Sequence, residues 1–353
     1  MADIYEKLRN RLDEMATGYP ATPGGAEIRI LKRLFSEDDA ALFLAMAPQP
    51  QTVSEVASRV RAEPETMVER LEDMARRGLI FRLKDSQEPR YVPVPFIVGI
   101  YEFQLNNLSP ELLKDISEYY LSGLGATFHG SKTPHLRSIP INTNIALGGP
   151  VAPYDDAEAI IRGKSRIAVA ECFCRKAVRM YGKECKHPSE TCIQFDSYAD
   201  YYVENSLARY ITTDEALCIL KRSEEEGLVI HILNSQKVEA MCACCSCCCG
   251  MLISLKLFPA PAREVKSNYV CRMEEQLCTD CGACTARCPV GALRLKEAKV
   301  QFREERCIGC GLCVSSCPTQ ALSLLKKPQE KLYIPPATVF ETFSLMGSEK
   351  KDA

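Results

Sequence analysis

Along the first hundred residues, the apolar positions change from a helical spacing to short runs typical of strands. Between residues 28 and 78 they recur at the spacing of three short amphipathic helices, and the second helix begins at a capping box of Thr52 and Glu55. Apolar runs at 79–83 and 90–94, separated by a turn-like segment, then predict two strands. The pattern therefore predicts three helices followed by a small hairpin.

Three helices and a β-wing resemble a winged-helix domain, and this resemblance raises the question of DNA binding. The third helix, residues 63–77, carries five acidic and three basic residues, a net charge of −2. Such a surface is poorly suited to the phosphate contacts that dominate DNA affinity, so DNA is an unlikely partner. We expect residues 1–107 to form a docking or dimerisation domain, which makes a homodimer through this domain conceivable.

Residues 108–266 mix helical and strand patterns with many cysteines, which predicts a mixed α/β middle domain. A buried strand at 167–170 leads into Cys172 and Cys174, and side chains two apart on an extended segment face the same side. Arg175 follows and would partly offset the charge of a thiolate-bound centre. The alternative is that these thiols are ordinary. Four thiols within 21 residues suffice for a third 4Fe-4S cluster: Cys172, Cys174, Cys185 and Cys192.

Six further thiols occupy the eight positions 242–249: Cys242, Cys244, Cys245, Cys247, Cys248 and Cys249. If this run is extended, Cys242, Cys244 and Cys248 face one side and the other three face the opposite side. If it is helical, the neighbouring pairs are Cys244 with Cys248 and Cys245 with Cys249. Either geometry supplies three or four ligands. A subset could hold a fourth cluster or share ligands with the Cys172 group, and both possibilities stay open.

The C-terminal part contains two runs of the form C-x2-C-x2-C-x3-C-P, at 278–289 and 307–318. In such runs three closely spaced thiolates hold one cubane, and the fourth cysteine, before proline, closes the other cluster. Zinc knuckles are disfavoured because this is not tetrahedral zinc spacing. The first predicted cluster has the ligands Cys278, Cys281, Cys284 and Cys317. The second predicted cluster has the ligands Cys307, Cys310, Cys313 and Cys288.

These runs resemble bacterial-type dicluster ferredoxins over residues 267–327, since Gly282, Pro289, Ala292 and Leu293 recur as Gly311, Pro318, Ala321 and Leu322. The resemblance implies a βαββαβ-like domain with two 4Fe-4S clusters, followed by a tail at 328–353. With the N-terminal and middle segments included, the order is similar to multi-cluster 4Fe-4S proteins of anaerobic bacteria and archaea. Those proteins are understood as electron carriers. We therefore expect an α+β protein of three domains and a tail.

The composition places few further limits on function. A formal charge of −2 gives no general reason to expect nucleic acid or an anionic membrane as a partner. Twenty cysteines together with cubane motifs imply a reducing compartment, and no signal peptide is visible. The longest uncharged apolar stretch, 240–255, is too short to span a bilayer comfortably. We expect a cytoplasmic protein without a membrane span.

The expected function is electron transfer to or from a partner redox protein or an oxidoreductase complex. No flavin or NAD motif is visible, because Gly123-Leu124-Gly125 lacks the third glycine and the strand–helix context of a dinucleotide site. No acid–base or nucleophile constellation stands out, so a non-catalytic carrier or an oxidoreductase subunit is favoured over an enzyme. Two alternatives remain: a redox-sensing winged-helix regulator, and a thiol or disulfide reductase. The Cys248-Cys249-Gly250 tripeptide resembles CCG modules of heterodisulfide reductases, but the next CxxC belongs to the ferredoxin-like run.

Overall fold

The computed structural model describes residues 3–84, 87–128, 131–141 and 151–351. Its α-helices are α1 (Ile4–Asp13), α2 (Ala26–Leu34), α3 (Glu37–Ala45), α4 (Val53–Val60), α5 (Pro64–Arg76), α6 (Tyr101–Phe103), α7 (Pro110–Tyr119), α8 (Gly125–Thr127), α9 (Ala157–Arg162), α10 (Phe173–Met180), α11 (Ser197–Glu204), α12 (Thr213–Glu225), α13 (Gly250–Leu257), α14 (Pro261–Glu264), α15 (Ala283–Arg287) and α16 (Val339–Lys351). Its strands are β1 (Gln51–Thr52), β2 (Ile80–Leu83), β3 (Arg90–Pro93), β4 (Leu136–Ile139), β5 (Ile167–Glu171), β6 (Glu190–Phe195), β7 (Ala208–Ile211), β8 (Val229–Leu233), β9 (Ala240–Cys244), β10 (Tyr269–Met273), β11 (Leu293–Lys296), β12 (Lys299–Phe302) and β13 (Leu322–Lys326).

The chain forms two compact units. The first contains Met1–His135, Asp196–Arg209 and Phe343–Ala353, and the second contains Leu136–Phe195 and Tyr210–Thr342. Helices and small sheets occur in both, so the mixed α and β content expected from the sequence is confirmed at that level. The finer division at residues 107, 266 and 327 stays a prediction. Among the described residues, no helix has the length and apolar character needed to cross a bilayer.

The first unit contains the predicted helices and hairpin. The capping box at the start of α4 is confirmed, because the Thr52 hydroxyl accepts from the Glu55 amide and the Glu55 carboxylate accepts from the Thr52 amide. Strands β1, β3 and β2 form an antiparallel sheet in that order. The Phe81 ring of β2 packs on Tyr201 of α11 at 4.6 Å between centroids. A distant chain segment therefore completes the core beside the hairpin.

The second unit is built on a six-stranded sheet in the order β4-β8-β9-β6-β5-β7. Pairs from β4 to β5 are antiparallel. Because side chains alternate along a strand, Ile230 and Ile232 of β8 and Met241 of β9 enter one buried apolar cluster, together with residues of α9 and α12. The intervening residues, His231 and Cys242, lie on the opposite face. The sheet thus has one aliphatic face and one face with sulfur and imidazole groups.

Two local predictions about the cysteine segments are corrected. The strand expected at 167–170 is present as β5, but the extended arrangement predicted for Cys172 and Cys174 is wrong. Cys172 is the N-cap of α10, and Cys174 lies in the first turn of that helix. The run 242–249 is neither wholly extended nor wholly helical. It is extended to Cys244, where β9 ends, and it turns before α13 begins.

The C-terminal part of the second unit has the element order β10, α15, β11, β12, β13. Strands β10 and β13 pair antiparallel, as do β11 and β12. The second helix of the expected βαββαβ order is replaced by turns at 312–316. There, amides bond to carbonyls three residues back, as from Val314 to Gly311 at 2.9 Å and from Cys317 to Val314 at 3.1 Å. That spacing does not continue into an α-helix.

A buried arginine joins this region to the helices that precede it. Arg306 is 5% exposed, and its guanidinium donates to the carbonyls of Val290 at 2.9 Å, Phe258 at 2.7 Å and Lys256 at 3.2 Å. Residues 328–342 of the predicted tail also belong to the second unit. The Gln236 amide, in the β8–β9 connection, donates to the Pro336 carbonyl at 2.8 Å. The C-terminal cysteine runs therefore share one unit with the six-stranded sheet.

Candidate metal centres

Two cavities lie among the eight cysteines of the C-terminal runs. One, of about 350 Å³, has in its lining Cys288, Cys307, Cys310 and Cys313. The other, of about 310 Å³, has in its lining Cys278, Cys281, Cys284 and Cys317. Each cavity therefore receives three thiols from one run and the fourth from the other run. We call them the larger and the smaller cavity. The remaining wall is mainly apolar, with Leu293 and Leu324 in the larger and Val300 and Leu322 in the smaller.

Backbone donors approach the sulfur atoms of the larger cavity. The Ala292 amide donates to Cys288 Sγ at 3.1 Å, and the Cys271 amide donates to Cys307 Sγ at 3.4 Å. Donors of this kind stabilise thiolate charge. In the metal-free chain, burial nevertheless raises the pKa of Cys307 to about 11. A bound metal would therefore displace a proton from this sulfur.

Cys271 stands beside the larger cavity although it belongs to neither run. Its Sγ lies 3.7 Å from Cys313 Sγ, and the residue is 4% exposed. It occupies β10, directly opposite Leu324 of β13. The sequence predicts a structural cysteine at this position, and the structure places it against two sulfur atoms of the cavity.

The first sulfur group of the sheet region, the four-thiol group, consists of Cys185, Cys245, Cys247 and Cys248. All four Sγ atoms lie within 4.8 Å of one another. Cys185 Sγ is 3.9 Å from Cys245 Sγ and 3.8 Å from Cys247 Sγ. Cys245 and Cys248 are buried, and Cys247 is exposed. Four sulfur donors at this separation match the ligand number of a 4Fe-4S cluster or of a structural zinc ion.

The second sulfur group, the six-thiol group, consists of Cys172, Cys174, Cys192, Cys242, Cys244 and Cys249. Electrostatic interactions between neighbouring thiols link its members in a chain. The interaction with Cys192 lowers the pKa of Cys242, and the interaction with Cys174 lowers the pKa of Cys249. Cys244 interacts with both Cys242 and Cys249, and Cys172 interacts with Cys174. These thiols come from two strands, one helix N-terminus and the turn before α13.

The structure therefore joins the predicted ligands differently from their order along the chain. Cys172, Cys174 and Cys192 lie together, but Cys185 lies with thiols of the run 242–249. That run is itself divided, because Cys242, Cys244 and Cys249 enter one group and Cys245, Cys247 and Cys248 enter the other. The structure therefore brings thiols of the two segments together in each group, and which of them are cluster ligands stays a prediction.

His231 is a member of the sulfur-lined face that sequence reasoning missed. Its ring nitrogen, Cys244 Sγ and Cys249 Sγ lie within 4.8 Å of one another. The side chain is fully buried, and burial lowers its pKa to about 4, although the Cys242 sulfur opposes that shift. The signal available in the sequence was a single polar residue in the apolar strand pattern Val229–Leu233.

Comparison with known proteins decides the nature of the C-terminal region. Residues 277–321 match the family described as 4Fe-4S dicluster domain. The C-terminal region is a ferredoxin-type iron–sulfur domain. Its resemblance to dicluster ferredoxins is confirmed, whereas the resemblances to a winged helix and to multi-cluster proteins of anaerobes stay predictions. No curated protein and no solved structure gives a significant match to the chain.

Outside the ferredoxin-type domain, the positive charge of Arg175 acts on thiols of both sulfur groups of the sheet region, among them Cys172 and Cys245. The residue is 1% exposed and donates to the carbonyls of Pro188 at 2.7 Å and Ala243 at 2.8 Å, and to the Thr191 hydroxyl. Burial raises the pKa of Cys245, but the Arg175 charge and hydrogen bonds from Cys247, Arg175 and the Cys248 backbone together outweigh burial and lower it to about 7. Arg175 thus stabilises thiolate charge at the four-thiol group, whereas the charge compensation expected at a cluster of Cys172, Cys174, Cys185 and Cys192 stays a prediction.

The thiol donors of the ferredoxin-type domain, the four-thiol group and the six-thiol group fit iron and sulfide. Soft thiolates select iron–sulfur clusters, zinc or copper(I), and the cysteine runs of the ferredoxin-type domain are cluster motifs. Cys218 is exposed on α12, and no contact with another sulfur is recorded for it in the described part of the chain. It therefore serves as an internal reference for experiments on the other thiols.

Proposed function

We propose that the chain is an electron-transfer protein that carries two 4Fe-4S clusters in its ferredoxin-type domain and further iron–sulfur centres at the four-thiol and six-thiol groups. The observation that best supports this proposal is the pair of cavities, each of which is lined by thiols from both cysteine runs. When bound, a 4Fe-4S cluster takes up and gives back single electrons. In this proposal Cys278, Cys281, Cys284 and Cys317 hold one cluster. The ligands of the other are Cys307, Cys310, Cys313 and Cys288.

The two cavities differ in their access to solvent, and this difference indicates which cluster would exchange electrons with a partner protein. Cys281 of the smaller cavity is exposed, whereas Cys307 and Cys313 of the larger cavity are buried. Exposure affects both the potential of a cluster and the approach of a partner. We assign the smaller cavity as the point of exchange with a partner redox protein or oxidoreductase complex.

The first unit is proposed to be a docking or dimerisation domain. Its strands β1–β3 and helices α3–α5 have the order of the winged-helix resemblance. Two basic side chains near α5 are paired with acids: Arg77 with Asp39 at 2.9 Å, and Arg82 with Glu72 and Glu204. These pairs reduce the positive charge available for phosphate contacts, so they favour a protein partner over DNA.

A second candidate function is favoured by the number of donors in the six-thiol group. One 4Fe-4S cluster has four corners, and six thiols with one imidazole lie at this site. Spare thiols beside a cluster are suited to thiol or disulfide reduction. Anaerobic turnover of a small disulfide by the reduced protein, abolished by Cys192→Ala and retained by Cys218→Ala, would favour this enzyme.

The primary test is anaerobic iron and acid-labile sulfide analysis with EPR of the reduced protein. Two clusters in the ferredoxin-type domain correspond to about 8 iron atoms per chain, and cubane-sized centres at both sheet groups raise this to about 16. The proposal expects reversible one-electron reduction of these centres. Zinc in the sheet groups, or fewer than about 8 iron atoms per chain in the freshly purified protein, would contradict the corresponding part.

A further inference from the structure

The sulfur-lined face of the sheet carries a row of donors across three neighbouring strands. Cys192 of β6 is directly opposite Cys242 of β9, and Cys242 is directly opposite His231 of β8. Directly opposed residues in an antiparallel sheet point to the same face, so these three side chains stand side by side. The strand register that places Cys192 beside Cys242 therefore also places the imidazole of His231 beside Cys242.

The surroundings of His231 do not account for its imidazole as a structural group. The side chain has 0% exposure, and its chain neighbours Ile230 and Ile232 belong to the apolar cluster of the other face. Within the residues that the structure describes, neither ring nitrogen has a hydrogen-bond partner. Buried polar groups in native proteins are nearly always paired, and an exception calls for an explanation such as a bound ion or water or a redox role.

The distances to the nearest sulfurs suit metal ligation. The histidine nitrogen and the Sγ atoms of Cys244 and Cys249 lie within 4.8 Å of one another. Nitrogen and sulfur ligands bind a tetrahedral ion at about 2.0 and 2.3 Å, which puts the two donor atoms roughly 3.5 to 4 Å apart. Small side-chain rotations are enough to bring these donors to one ion.

We propose that His231 is a ligand of an iron centre in the six-thiol group, so that this centre has mixed imidazole and thiolate ligation. The proposal rests on the iron–sulfur function assigned above to that group and deepens it. A neutral imidazole in place of a thiolate removes one negative charge, and histidine ligation raises the potential of iron–sulfur centres. The six-thiol centre is then expected to have a higher potential than the same centre with thiolate ligands alone.

The test is pulsed EPR of the reduced full-length protein in which only histidine is labelled with ¹⁵N. Ligation by His231 gives a strong ¹⁵N coupling on one centre. The coupling is expected to disappear in His231→Ala and in His231→Cys, while the EPR signals of the ferredoxin-type domain are unchanged. His231→Cys supplies a thiolate instead, so it is expected to keep the iron content and to lower the potential of that centre.

A matched control separates ligation from packing. Ser138 of β4 lies opposite His231 in the same row, is 1% exposed, and carries no ring nitrogen. Ser138→Ala is expected to retain the coupling. Iron at the six-thiol group without histidine coupling would overturn the proposal and leave the electron-transfer function intact. A six-thiol group that takes up no iron on anaerobic reconstitution with iron and sulfide would overturn the proposal and also the part of the proposed function that assigns an iron–sulfur centre to this group.

Discussion

In the ferredoxin-type domain, thiols three residues apart line one cavity, whereas in the sheet region the adjacent Cys244 and Cys245 belong to different sulfur groups. The backbone explains the difference. Around Cys278, Cys281 and Cys284, a short loop and the first turn of α15 wrap the cavity. At the end of β9, successive side chains alternate between the two faces of the sheet. Cys245 accordingly packs with the apolar cluster, and Cys244 lies with His231.

Cysteine spacing in the sequence predicts which thiols lie together in the fold only under a certain condition. Spacing is informative where the run itself encloses the site, as a repeated C-x2-C-x2-C loop does. Where the ligands are carried on strands, the register between strands decides which thiols meet. Cys192 and Cys242 are 50 positions apart in the sequence but are directly opposed in β6 and β9.

The largest effect is expected from variants that test the crossed cavities. Cys278→Ala and Cys317→Ala should remove the same cluster, with loss of about 4 iron atoms per chain, because both thiols line the smaller cavity. Cys288→Ala and Cys307→Ala should remove the other cluster. Iron analysis and EPR of the four variants check this, with Cys218→Ala as the unaffected control. If Cys317→Ala instead eliminated the signal lost in Cys307→Ala, the crossing would be wrong.

The next effect contrasts two thiols of the sheet region that are near neighbours in sequence. Cys185→Ala leaves the four-thiol group with three sulfurs, so loss of its centre, about 4 iron atoms, is expected. Cys192→Ala leaves five thiols in its group, so a smaller iron loss with an altered EPR signal is expected. Combining Cys185→Ala with Cys245→Ala should add little. Loss of the same EPR signal in Cys185→Ala and Cys192→Ala would show that both residues bind one centre, as the sequence predicts.

A smaller effect, on stability, is expected from Arg175→Met. The substitution leaves the buried carbonyl of Ala243 and the partly buried carbonyl of Pro188 without their donor, and each unsatisfied buried group costs about 1–3 kcal/mol. We expect the free energy of unfolding to fall by roughly 2–4 kcal/mol, measured by denaturant titration at equal metal content. Arg179→Met removes an exposed pair with Glu171 and should cost less than about 1 kcal/mol. Equal effects of the two variants would contradict the role assigned to Arg175.

The smallest effect is expected from Cys271→Ala. The variant keeps the backbone amide that donates to Cys307 Sγ but removes the sulfur 3.7 Å from Cys313 Sγ. Iron content should therefore be unchanged, and only the potential of the cluster in the larger cavity should shift, as a redox titration followed by EPR can measure. Loss of iron in this variant would instead make Cys271 a ligand.

Much of the architecture was predictable from local signals, and the sheet sites were not. The capping box of Thr52 and Glu55 and the hairpin strands at β2 and β3 depend on residues close in sequence. The ferredoxin-type domain was recognisable because its motif encodes the site. The partners of Cys185 and the proximity of His231 to Cys244 depend on pairing between distant segments, which no local pattern specifies. The run 242–249 was assumed to be extended or helical over its whole length, and the turn after Cys244 makes both assumptions wrong.

The crossed cavities have a consequence for the time at which clusters can be inserted during translation. The first three thiols of the smaller cavity are complete at Cys284, but the fourth, Cys317, follows 33 residues later. At about 5–20 residues per second, the ribosome needs roughly 2 to 7 seconds to add that stretch. Cys185 similarly precedes Cys245 by 60 residues. The nascent chain thus carries open, oxidisable thiols, and under the proposed function the two clusters of the crossed cavities cannot be inserted until translation of the C-terminal runs is nearly finished.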